Sequence, residues 1–115
     1  MAMSSKVNTY RGEVELTLKG KRYVLTPSYE NLATLETAAE LSLLELAQRL
    51  HQRTIKISDL AAIVSSTASP EISVEDAGKA LVEEGLIKTI GPVSKFFSQA
   101  LLGGSEGNVA AAGEK

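Results

Sequence analysis

The chain has 115 residues and a formal net charge of −2. That length suits one modest core, and the near-balanced charge gives no general attraction to nucleic acid or anionic lipid. There is no cysteine, which excludes a disulfide framework and thiolate metal sites and fits a reducing compartment.

Tryptophan is absent and aromatics make up 4% of the chain, so the core is expected to be mostly Leu, Val, Ile and Ala. The first ten residues carry no apolar run of signal-peptide length. No stretch approaches the roughly 18 apolar residues of a membrane span. Residues 1–9 are polar and read as a flexible start.

Val14, Leu16 and Leu18 alternate with Glu13, Glu15 and Thr17, the period of a half-buried strand. Lys19-Gly20 supplies a two-residue turn, with glycine free to take positive φ. That loop sets Leu18 against Lys21, Leu16 against Tyr23 and Val14 against Leu25. A lone hairpin is marginal in water, so its apolar face needs a cover.

The cover is expected from the helices that follow. Thr26-Pro27 reads as an N-cap and first helical residue, with Leu32, Leu35 and Ala39 as the apolar stripe behind it, widened by Ala38 and Leu41. Ser42 with Glu45 three residues on fits a capping box and starts a second helix, whose face is Leu43, Leu46, Ala47 and Leu50. Arg49, His51, Arg53 and Lys56 gather near its end, where positive charge suits the helix dipole.

Ser58-Asp59 is expected to open a third helix, with Ile57 as a staple and Leu60, Ala61, Ile63 and Val64 inward. The run from Ser65 to Pro70 reads as a loop. Ser73 caps a fourth helix with Ala77, Leu81 and Val82 on its apolar side, and Gly85 ends it. Leu86 to Leu102 gives a last helical pattern through Ile87, Ile90, Val93, Phe97 and Leu101. Pro92 inside it predicts a kink or restart near Gly91. Residues 103–115 are Gly, Ala, Ser and Glu with little to bury, and read as a disordered tail. The fold class is therefore α+β, mainly α: an N-terminal β-hairpin packed on about five short helices in a single domain over residues 10–102.

No catalytic constellation emerges, so the chain reads as non-enzymatic, with no cofactor and no metal. His51 is the only histidine and has no partner at metal-ligand spacing. Glu75-Asp76 and Glu83-Glu84 are adjacent pairs; on a helix their side chains diverge by about 100°, which makes a solvated face the better account. The glycine-rich Gly103–Gly107 run follows a helix and lacks the Lys-Ser/Thr ending of a phosphate loop. Asp59 to Gly85 makes a poor helix-turn-helix, because its connection is too long. Arg11, Lys19, Lys21 and Arg22 make the hairpin basic, but Glu13 and Glu15 are interleaved, so no nucleic acid is expected as a partner. Phe96, Phe97, Leu101 and Leu102 are the most conspicuous apolar group, with Leu43 and Leu44 a second. Phe96 and Phe97 point different ways on a helix. Either the helix lies between two neighbours, or these residues form a partner-binding surface.

In order, the chain offers Arg11-Gly12-Glu13-Val14, Gly20 to Leu25, Pro27, then Leu32, Leu35 and Glu36. Ser42-Leu43, Leu46-Ala47, Arg49-Leu50 and Asp59-Leu60-Ala61 follow, then Val74, Gly78, Gly85-Leu86 and Leu102-Gly103. Over residues 10–104 this arrangement resembles a small family from the tail-gene region of gene transfer agents and long-tailed phages of alphaproteobacteria. The family is described as a tail tube protein or as a tail assembly chaperone. Its pattern implies a glycine between the first two helices, where this chain has Glu40-Leu41.

The resemblance implies assembly work in the cytoplasm of a bacterial host cell. The implied partners are the tape measure protein and the tail tube protein, with a homo-oligomer as a further option and no membrane. A tail assembly chaperone would coat the amphipathic tape measure chain through Leu43, Leu44, Phe96, Phe97, Leu101 and Leu102. A structural tail tube or other virion subunit is the alternative, and a small DNA-binding regulator a third.

Overall fold

The computed structural model describes residues 12–102. The flexible start expected over 1–9 and the tail expected over 103–115 lie outside the described residues. Within them the order is β1 (Val14–Leu18), β2 (Lys21–Leu25), α1 (Tyr29–Ala39), α2 (Leu43–His51), α3 (Ile57–Thr67), β3 (Ala68–Ser69), α4 (Val74–Glu84) and α5 (Leu86–Leu101). The fold is α+β and mainly α.

The hairpin register is the one the two-residue loop dictates, with Leu18 opposite Lys21, Leu16 opposite Tyr23 and Val14 opposite Leu25. Lys19 and Gly20 have φ of 53° and 81°, the doubly left-handed turn that matches the twist of adjoining strands. Val14, Leu16, Leu18, Tyr23 and Leu25 are all buried. Burial of each such aliphatic side chain contributes roughly 1.5–3 kcal/mol, which is what holds the ribbon down.

Two kinds of cover meet on this face. α5 and α4 pack on β1, and α3 packs on β2. α3 is the central helix: Leu60, Ala61, Ala62, Ile63 and Val64 are all buried, and it lies against α1 and α4. A helix buried nearly all round needs contacts on several sides, and it has them.

The sheet has a third strand where a loop was expected. α3 continues through Ser65 and Ser66 to Thr67, and Ala68-Ser69 then pairs antiparallel with Val24-Leu25. The polar residues are accommodated locally. The Thr67 hydroxyl donates to the Ile63 carbonyl at 2.8 Å, and the Thr67 carbonyl accepts from the Thr26 amide at 3.0 Å. The outer edge of β2 gains partners that composition alone does not announce.

Helix starts follow hydroxyl chemistry, with two shifts. Ser28, not Thr26, caps α1: its Oγ accepts from the Asn31 amide at 3.2 Å, while Asn31 Nδ2 donates to the Thr26 carbonyl. Ser42 and Ser73 cap α2 and α4 by accepting from the Glu45 and Asp76 amides. α3 begins at Ile57 with Lys56 as N-cap and no side-chain cap, so Ser58-Asp59 lies inside the helix. Asp59 is turned inward toward Arg49.

Three apolar assignments move. Val82 is exposed rather than part of the inner side of α4, and Ile87 is 78% exposed. Ala38 is also exposed. α5 runs from Leu86 to Leu101 without a restart at Gly91. Lys88, whose carbonyl Pro92 cannot serve, is exposed, so water can take the place of the missing amide donor.

Candidate functional site

α2 and α5 lie side by side, and between them runs a shallow groove of about 210 Å³. Ala47, Leu50 and His51 form one wall; Ser94, Phe97, Ser98 and Leu101 form the other. The second set is spaced i, i+3, i+4, i+7, one stripe of a helix. Helical spacing extends both walls. Leu44 lies one turn before Ala47 and Gln48, and Leu102 one turn after Ser98.

The six partner-binding residues named from sequence divide here. Leu44 is 70% exposed, Leu102 58% and Leu101 42%; Leu43 is half-buried. Phe96 and Phe97 are 0% and 2% exposed, so as the protein stands they are core and offer almost no surface to a partner. Their rings pack edge to face, with centroids 5.6 Å apart and planes at 87°. Adjacent positions can both be buried because α5 is flanked on different sides, by α2 and by β1 with α4. Of the two accounts of this helix, lying between neighbours holds for the aromatic pair.

The groove also has residues that sequence reasoning passed over as candidates. Ser94 and Ser98 carry no hydrophobic signal, and Ala47 and Leu50 read as ordinary core. The i, i+3, i+4, i+7 run of Ser94, Phe97, Ser98 and Leu101 was the available clue. A second group of exposed apolar side chains, Val82, Leu86 and Ile87, surrounds the α4–α5 corner at Gly85.

The hairpin's positive charges are mostly spoken for. Arg22 donates two hydrogen bonds to the Glu15 carboxylate, at 2.6 and 3.0 Å. Those bonds hold the Glu15 carboxyl below its ordinary value and raise the Arg22 guanidinium. Lys19 Nζ pairs with Glu83, which raises the Lys19 ammonium by hydrogen bonding first and by charge second. Lys21 Nζ lies 5.6 Å from the centre of the Tyr23 ring. Glu83-Glu84 is therefore more than a solvated face, since it anchors the turn.

A second cleft, of about 490 Å³, lies beside Asn31, Ser65, Ser66, Glu71 and Ser73. Ala68 and Ile72 complete its lining, which is mixed polar and apolar, and nothing in it converges on a reacting atom. His51 is exposed on the groove wall. Among the described residues, no group of three or more His, Asp or Glu side chains could hold a metal ion, and no helix is long and apolar enough to cross a membrane.

One family model matches residues 11–103 of the chain; it is described as phage tail tube protein, GTA-gp10. No curated protein and no solved structure matches.

Proposed function

Because the chain belongs to this gene transfer agent and phage tail family, we propose that it acts during tail assembly as a non-enzymatic chaperone for the tape measure protein. The observation that carries this reading is the α2–α5 groove, with half-exposed Leu101 on its wall and exposed Leu44 and Leu102 a helical turn from wall residues Ala47 and Ser98. An apolar groove between helices accepts the apolar stripe of another helix, and a tape measure chain is a long series of such stripes. Contact through a few leucines is weak per copy, which suits a coat that must later be displaced. The host cytoplasm is where this work would take place.

A second reading has its own support. The family's description names a tail tube protein, so a structural subunit that contacts other tube subunits is the alternative. The geometry speaks less well for it. The described sheet has three strands, and β3 has two residues, which is little material for a ring wall built from β-structure.

Co-expression with the neighbouring tail proteins separates the two. Capture of the tape measure protein, with this chain absent from finished particles, is the outcome expected of a chaperone. Stacked rings of this chain in purified tails, without tape-measure capture, would overturn that reading in favour of the tube. A small DNA-binding regulator is disfavoured by the pairing of Lys19 and Arg22 with carboxylates.

A further inference from the structure

The charges on this protein are sorted by element. Glu45 is the one acidic residue on α2, and α5 has none. The same two helices and the loop after α2 carry Arg49, Arg53, Lys56, Lys88 and Lys95. The acidic residues are concentrated elsewhere, on α1 and α4, so a net charge of −2 conceals a local excess of cations along α2, the loop after it and α5.

Two of these cations adjoin wall residues of the groove in sequence. Lys95 follows Ser94, a wall residue, and precedes Ser98 by one turn; it is exposed and has no ion-pair partner among the described residues. Arg53 comes two residues after His51, another wall residue, and is likewise exposed. The apolar part of the groove lining is Ala47, Leu50, Phe97 and Leu101, and Lys95 and Arg53 follow the wall residues Ser94 and His51 by one and two positions.

We propose that the α2–α5 groove selects an amphipathic helix whose apolar stripe is bordered by Asp or Glu. Charge complementarity decides the occupant. A stripe bordered by Lys would meet like charge at Lys95 and Arg53, and a second copy presenting this same groove would do so as well. Duplex nucleic acid would satisfy the cations but leave Ala47, Leu50 and Leu101 against a charged backbone. The inference rests on the chaperone reading for its biological occupant, but its chemistry is tested without that occupant.

The probes are two synthetic, fluorescently labelled helices of about 20 residues. They share one leucine stripe; one is bordered by Glu and the other by Lys. Titrated with the full chain at about 0.05 M salt, the Glu-bordered helix should bind at least roughly tenfold more tightly, and the preference should shrink at about 0.5 M, where screening is short-ranged. Lys95→Glu, a surface change, should remove most of the preference while leaving the circular dichroism spectrum unchanged. Leu101→Ser should weaken binding of the Glu-bordered helix at both salt concentrations.

Equal binding of the two helices would overturn the proposal, as would a preference that Lys95→Glu leaves intact. Binding of a labelled DNA duplex in place of either helix would overturn it too. If co-expression captures the tape measure protein while the two helices bind alike, the groove chemistry fails and the chaperone reading stands. If the helices discriminate while no tape measure protein is captured, the groove chemistry holds and the chaperone reading falls.

Discussion

The backbone amide of Lys19 donates to Glu84 Oε1 at 2.8 Å, across 65 positions of sequence. This bond fastens the tip of the hairpin to the last turn of α4, and the Lys19 Nζ–Glu83 pair lies beside it. A left-handed turn residue has an amide that the hairpin itself leaves without a partner, and the carboxylate supplies one. Glu84→Ala should therefore speed hydrogen exchange at the Lys19 amide by about twofold to tenfold, the range for loss of one hydrogen bond. Exchange at an unchanged rate would mean that the bond is not populated in solution.

Glu40 ends α1 with φ of 58°, a left-handed conformation normally left to glycine, and its amide donates to the Glu36 carbonyl. Glycine takes this conformation without the steric cost that a Cβ imposes. Glu40→Gly should stabilise the protein by roughly 0.5–1 kcal/mol, the steric cost relieved less the extra entropy that glycine loses. Glu40→Gln separates this from removal of a negative charge at a helix C-terminus, and should recover only a small part of the gain. Urea unfolding of the three proteins decides; a Gln variant as stable as the Gly variant would refute the conformational account.

Asp59 is 7% exposed, and its Oδ2 has no hydrogen-bond partner; the nearest positive group is Arg49 NH1 at 3.6 Å. The carboxylate lies in the first turn of α3, where the helix dipole favours negative charge. Arg49→Met should cost about 1–3 kcal/mol, because it leaves a buried carboxylate without its counter-charge. Adding Asp59→Asn should return part of that loss. A double variant no more stable than Arg49→Met alone would show that Arg49 acts through its aliphatic stem instead.

Glu15 is held below its ordinary pKa by its hydrogen bonds from Arg22. In the unfolded chain Glu15 takes up its proton at the ordinary carboxylate value of 4.5, before the folded form does. The pair's contribution is thus complete above that value and fades as pH falls through the lower folded value. Both groups are at the surface, so the effect is small. Thermal melts of the protein and of Glu15→Gln should differ near neutral pH and converge in acid. A gap that widens in acid would contradict the assignment.

The periodic elements were legible without coordinates. Alternation from Val14 to Leu18 and the Lys19-Gly20 loop define the hairpin, its register and its buried face, because a two-residue turn permits one pairing. Ser42 and Ser73 mark two helix starts, because the capping bond spans only three residues. The candidate site was half legible. Leu44, Leu101 and Leu102 are exposed at or beside the groove, but Phe96 and Phe97 are interior.

Features set within a few residues follow from the sequence alone: strand alternation, turn geometry, helix caps and a core that is mostly aliphatic, with Tyr23, Phe96 and Phe97 as its aromatic members. Which apolar side chains are covered depends instead on how the elements pack. α5 buries two adjacent aromatics because α2 and β1 with α4 flank it on different sides, and β3 exists because α3 delivers Ala68-Ser69 to the free edge of β2. The groove and the Lys19–Glu84 bond arise in the same way, from residues brought together across long sequence separations, because burial depends on neighbours that no local pattern encodes.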